Sequence, residues 1–159
     1  MTYIRTLGLA TLFLAVANQA SADITAFIGA DTTPSSRPAA GIAVGFSLVI
    51  VGFEFEYSST ASDVGSNAPS LKSGMANVFI QTPVALFHVQ PYLTTGAGVY
   101  QEVLGSQSDT SVGANIGGGV KIPLIGPLQL RVDYRVFKLG SSALYSPSQR
   151  IYVGANFKF

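Results

Sequence analysis

Along most of this chain apolar and polar residues take turns with a period of two, and the alternation breaks only at short polar or turn-forming segments. The clearest stretch is residues 128–137, where Leu128, Leu130, Val132, Tyr134 and Val136 alternate with Gln129, Arg131, Asp133, Arg135 and Phe137. Successive side chains of a strand point to opposite faces, so this pattern predicts a strand with one apolar and one largely polar face. Residues 149–159 repeat it: Ile151, Val153, Ala155, Phe157 and Phe159 share one face, and Arg150, Tyr152, Gly154, Asn156 and Lys158 share the other.

Six further segments carry the same signal, giving eight strands. Residues 23–30 place Ile24, Ala26 and Ile28 on one face, and residues 40–48 turn Ile42, Val44, Phe46 and Leu48 outward. The phase then slips by one, because residues 51–58 turn Val51, Phe53, Phe55 and Tyr57 outward and Gly52, Glu54, Glu56 and Ser58 inward. Such a slip needs a turn or bulge, here a tight turn at 49–50. Residues 74–81 (Ala76, Val78 and Ile80 outward) and 90–103 (Leu93, Thr95, Ala97 and Val99 outward) follow. Residues 111–122 place Val112, Ala114, Ile116 and Val120 outward against Gly113, Asn115, Gly117, Gly119 and Lys121.

The connections alternate in kind. Polar loops at 31–39, 59–73, 104–110 and 139–149 alternate with turns at 49–50, 82–89 and 123–126, and prolines flank the last turn where they would break no ladder. Long loops on one side and short turns on the other are the asymmetry of membrane barrels. An even strand count puts both termini with the turns, on the side expected to be periplasmic.

Composition narrows the choice. Only 11% of residues are charged and mean hydropathy is +0.40, too apolar for a soluble domain of this size. Beyond residue 22 no segment approaches the ~20 apolar residues of a spanning helix. The longest apolar run, 46–53, is interrupted by Ser47 and stopped by Glu54. A closed barrel, whose backbone groups all pair between strands, is the remaining way to cross a bilayer. The predicted fold is therefore all-β, an eight-stranded antiparallel up-and-down transmembrane β-barrel.

The first residues read as a targeting segment. Residues 1–6 carry one cation, Arg5, residues 7–16 form a short apolar core, and Ala20-Ser21-Ala22 is a small-x-small cleavage site. A signal peptide of residues 1–22 and a barrel domain of 23–159 are expected; Ala15-Val16-Ala17 is a weaker site because it cuts into the apolar run. Past residue 22 there are eight Lys+Arg and eight Asp+Glu, with no basic stripe to suggest nucleic acid. The chain has no cysteine, which excludes a lipoprotein anchor, disulfides and thiolate metal sites.

The end Tyr152-x-Gly154-x-x-Phe157-x-Phe159 resembles the C-terminal assembly signal of bacterial outer-membrane β-barrels. With Gln90-Pro91-Tyr92-x-x-x-Gly96-x-Gly98, Gly117-Gly118-Gly119-Val120-Lys121 and Arg131-Val132-Asp133-Tyr134-Arg135, the segment 23–159 as a whole resembles the small barrels of the OmpA/OmpX type. The resemblance implies a Gram-negative outer-membrane protein, exported by the Sec route and cleaved. Its last strand would be read by the barrel-assembly machinery through Tyr152, Gly154, Phe157 and Phe159. Its partners would be outer-membrane lipids and lipopolysaccharide, and it would be a monomer. With no peptidoglycan-binding segment in residues 23–159, the anchoring role of larger relatives is not implied.

Chemistry concentrates on the inward face. Glu54 and Glu56 share one side of their strand, and Arg131, Asp133 and Arg135 share the inward side of another, with Lys121 next to it. An eight-stranded barrel is only wide enough for side chains to fill, so these groups are expected to pair into a plug, Glu56 with Arg135 or with Arg131. His88, the single imidazole, falls in a turn far from any acid in sequence and carries no catalytic expectation. Gly117-Gly118-Gly119 lies in mid-strand and reads as close packing, not as a phosphate loop. Tyr57, Tyr134, Phe157 and Phe159 suit interfacial girdles. No catalytic residue, metal site or cofactor is expected. The function classes that remain are a structural or surface-interaction protein acting through its loops, a narrow channel or hydrophobic conduit as in OmpW-like barrels, and, least, a lipid A-modifying enzyme.

Overall fold

The computed structural model describes residues 20–141 and 143–159. Eight antiparallel strands close into one barrel, each paired with its sequence neighbours and the first with the last. They are β1 (Ala20–Asp31), β2 (Arg37–Leu48), β3 (Val51–Thr60), β4 (Ser70–Gln81), β5 (Gln90–Leu104), β6 (Gln107–Ile125), β7 (Leu128–Lys138) and β8 (Ser148–Lys158). Among the described residues no helix is long and apolar enough to cross a membrane, which says nothing against a barrel. Carrying each ladder's register around from Asp31 returns to β1 about ten residues nearer the loop end, a stagger that tilts strands by about 40°.

Alternation decides the faces as expected. Ile28, Phe55, Leu93, Val112 and Ile116 are each more than 60% exposed on the outer wall, whereas Glu54, Asn77, Tyr100, Arg131 and Tyr152 are buried inside. The phase slip between β2 and β3 is a tight turn in which Val49 takes a left-handed φ of 56°. Four inward aromatics lie directly across from a glycine of the neighbouring strand: Phe27 from Gly41, Phe79 from Gly52, Tyr92 from Gly119, and Tyr152 from Gly29. A Cβ at Gly52 would stand 2.2 Å from the Phe79 ring, so the absent side chain is what lets the ring lie across the next strand.

The strands reach further toward the loop end than the sequence suggests. Residues 104–110, read as a loop, are the tip of a hairpin: β5 and β6 stay paired to Leu104↔Gln107. Likewise Asp31 and Arg37 belong to strands, shortening the first loop to 32–36, and β4 begins at Ser70. The second loop, 61–69, holds a one-turn 3-10 helix, Val64–Ser66, capped by the Asp63 side chain, and the fourth spans 139–147. Pro123 is also corrected: it sits in β6 opposite Gln129, beside a register shift between Pro123 and Ile125 that absorbs the missing donor.

The apolar segment 7–16 lies outside the described residues. Ala20, Ser21 and Ala22 extend β1 along β2, while the ladder with β8 begins at Asp23.

Candidate functional site in the barrel lumen

Among the described residues eleven charged side chains are buried: Asp23, Asp31, Glu54, Glu56, Glu102 and Asp133 among the acids, and Arg37, Lys121, Arg131, Arg135 and Arg150 among the bases. Each stands on an inward strand position. They form tiers along the axis, because successive inward residues of a tilted strand climb toward the loop end.

Nearest the turns, Lys121 Nζ donates to Asp23 Oδ2 at 2.7 Å and lies 5.0 Å from the centre of the Phe79 ring. The middle tier is organised by Glu54. Its carboxylate takes both Nη1 and Nη2 of Arg131, the second at 3.3 Å, and Nη2 of Arg135 at 2.8 Å. Asp133, between the two arginines on β7, accepts from Arg131 Nη2 at 3.2 Å, from Arg135 Nε at 3.0 Å and from the Tyr92 hydroxyl. Tyr92 in turn accepts from Arg131 Nε at 2.7 Å. Two acids thus share two guanidiniums, and a forked cation matches carboxylates by shape as well as charge.

One step up, Glu56 receives Arg150 Nη2 and lies 2.9 Å from Arg135 Nη1, the latter an ion contact without hydrogen-bond alignment. Arg150 Nη1 also donates to the Ser58 hydroxyl, itself 2.8 Å from Ser73. Phe27 and Tyr152 stack at 4.1 Å beside these layers, and the Arg150 guanidinium lies 5.3 Å from the Phe27 ring. Above them the filling turns apolar, with Leu71, Met75, Tyr100, Phe137 and Leu139 packed together under Ala143 of the fourth loop.

At the loop end Arg37 donates to the carbonyls of Thr33 (2.7 Å) and Pro69, tying the first two loops together. Ser35 reinforces this through Asp63 at 3.2 Å and Ser66 at 2.8 Å. Hydrogen bonds from Ser66 and Ser35 hold the Asp63 carboxyl below its ordinary range. Glu102 takes the Leu144 amide at 3.1 Å, pinning the fourth loop to β5.

Of the residues singled out in the sequence, Glu54, Glu56, Arg131, Asp133 and Arg135 meet in one network, and Lys121 stands apart with Asp23. Arg135 contacts Glu56, as one of the expected pairings has it, and Arg131 goes to Glu54. Arg150 is the partner that sequence reasoning passed over: alternation put it on the inward face, but only the stagger of the strands aims it at Glu56. Tyr92 and Asp23 were missed in the same way, whereas Asp31 and Arg37 fell in the segment read as the first loop. His88 is exposed in the β4–β5 turn, with a left-handed φ of 66°. The four residues of the terminal motif divide between faces, Tyr152 and Gly154 inward, Phe157 and Phe159 outward and 6.4 Å apart. Among the described residues no group of three or more His, Cys, Asp or Glu could hold a metal.

No protein-family model matches the sequence, and no curated protein matches it. Solved structures do. The N-terminal β-barrel domain of Pseudomonas aeruginosa OprF matches with a TM-score of 0.65 at 19% identity, covering 87% of this chain and 97% of that one. Neisserial surface protein A matches with a TM-score of 0.61 at 18% identity over 87% and 94% of the two chains. The outer-membrane enzyme PagL matches with a TM-score of 0.52 at 13% identity over 86% and 98%. At these identities the likeness concerns the backbone, and one architecture carries several activities. The chain has the fold of the small eight-stranded barrels of bacterial outer membranes.

Proposed function

We propose that the protein is an integral outer-membrane barrel closed to flux, which works at the cell surface through its loop end. The observation that carries this reading is the network around Glu54, which joins β3 to β7 across the lumen and leaves Arg131 and Arg135 at 1% and 0% exposure. Opening a path would separate paired buried ions, at a cost of several kcal/mol for each charge stranded. The tied loops support a surface role, since binding concentrates in loops held by a rigid scaffold. The position of His88 among the turns argues against hydrolytic chemistry at the loop end. Lipopolysaccharide and other outer-membrane lipids surround the barrel in this reading. The assembly machinery inserts it through the last strand, after export and cleavage behind Ala22, and it stands as a monomer.

Two measurements test it. Purified protein in planar bilayers should show no conductance steps, and steady steps would favour the narrow-channel reading. Because the chain lacks cysteine, a Ser66→Cys variant can be labelled on intact cells with a membrane-impermeant maleimide. Labelling is expected; its absence, with labelling after lysis, would reverse the orientation.

A further inference from the structure

The outer wall is apolar almost throughout. Among the described residues two charged side chains stand on outward strand positions, Lys72 of β4 and Lys138 of β7, and neither has an ion-pair or hydrogen-bond partner. Cross-strand pairs put Phe55, Ala76, Ala97, Ala114 and Lys138 in one row over five strands. Lys72 lies on β4, four residues nearer the loop end than Ala76. With the strand tilt and stagger, four residues along a strand and three strands along that row each climb about 10 Å. The two ammonium groups are therefore rooted at one height, near the loop end of the wall.

Between and below them the wall is hollowed. A groove of about 630 Å3 is lined by Ala97, Val99, Val112, Ala114, Lys138 and Gly140. A second, of about 400 Å3, shares Ala97 and Val99 with it and is bounded by Phe55 and Tyr57. We propose that this double groove is a seat for one lipid A molecule of the leaflet at the loop end, its acyl chains lying in the grooves and its phosphates meeting Lys138 and Lys72. This rests on the orientation given under Proposed function.

Three observations select that occupant. The grooves have apolar floors, so they accept hydrocarbon. Lys138 lines the first groove and Lys72 stands one outward step above Gly74 of the second, and cations at that level match an anionic headgroup. A second barrel seated here about a two-fold axis would present the same cations to each other, because such a contact uses one patch twice.

The test is native mass spectrometry of the folded protein in detergent micelles, titrated with lipid A, with phosphatidylglycerol and with phosphatidylcholine. Lipid A should be retained most and phosphatidylcholine least. Lys138→Gln should weaken lipid A retention about two- to fivefold, the effect of losing one exposed charge contact, and Lys72→Gln by a similar or smaller factor. Ala114→Phe should fill the groove and lower retention with both lysines intact, while Lys158→Gln, at the turn end, should change nothing. Equal retention of lipid A and phosphatidylcholine, or indifference to Lys138→Gln and Ala114→Phe in protein of unchanged circular dichroism, would overturn the proposal. So would preference for phosphatidylglycerol, or a dimer that Ala114→Phe dissolves. Micelle binding does not depend on which way the barrel faces, so a failed orientation shows in the cell labelling and a failed seat shows here.

Discussion

Glu54 and Arg131, 77 residues apart in the chain, meet across the lumen through two nitrogen–oxygen contacts of one carboxylate with one guanidinium. Glu54 also holds Arg135, and Arg131 also holds Asp133. Each member of the pair thus has a second partner of opposite charge, and the coupling between the two can be measured.

Glu54→Gln takes one acid from two guanidiniums that both keep Asp133, and should destabilise the barrel by up to about 3–5 kcal/mol, the usual cost of breaking a buried pair. Arg131→Gln takes one base from two acids that both keep Arg135 and should cost a similar amount, and the double variant should cost less than the two single effects summed. Urea unfolding in lipid vesicles, followed by circular dichroism, gives the cycle. Additive single effects would mean the two groups do not interact.

Gly41→Ala should destabilise by about 1–3 kcal/mol through overpacking. Its Cβ would stand 2.4 Å from the Tyr57 carbonyl oxygen and 2.3 Å from the Phe27 ring, and moving the ring relieves only the second clash. Gly74→Ala, where nothing lies within 4 Å of the added atom, should leave stability unchanged or slightly raised. The same unfolding measurement compares them.

Phe159→Ala should lower the folded barrel in the membrane much more than Ser141→Ala. The Phe159 ring stands 6.4 Å from that of Phe157 on the outer wall, and by resemblance it belongs to the assembly signal. Membrane levels of the two variants decide the point, and equal levels would count against a signalling role.

Acid should loosen the tie between the first two loops. The Asp63 carboxyl is held below its ordinary value of 3.8 when folded, so its contribution is complete above about pH 4 and fades as pH falls through the folded value. Hydrogen exchange of the Gly65 amide, which donates to Asp63 at 3.1 Å, should accelerate in that window relative to Asp63→Ala.

Which way each side chain points was legible in the sequence wherever lipid demands apolar residues outside, as on β7 and β8. The signal fades at the loop end. Outward positions such as Thr110, Gln101 and Lys72 are polar there, so a strand that continues in the ladder reads as a loop; this hid the tip of the β5–β6 hairpin. Lumen partners were harder still. Alternation shows that Arg150 and Glu56 both face inward, but their meeting depends on the stagger of all eight strands, which no local pattern encodes. The pairing of Asp23 with Lys121, 98 positions apart, is hidden for the same reason.

The ladder that joins β1 to β8 makes the wall a ring, and a ring has no partial version. Until residues 150–158 lie against 23–31, both flanking strands are open hydrogen-bonding edges, and the inward charges have no opposite wall to meet. The contact that finishes the structure is also among the most distant in sequence, which makes closure slow and keeps the unfinished chain prone to pairing with others. A chain built this way keeps adhesive edges at both ends until those ends are brought together.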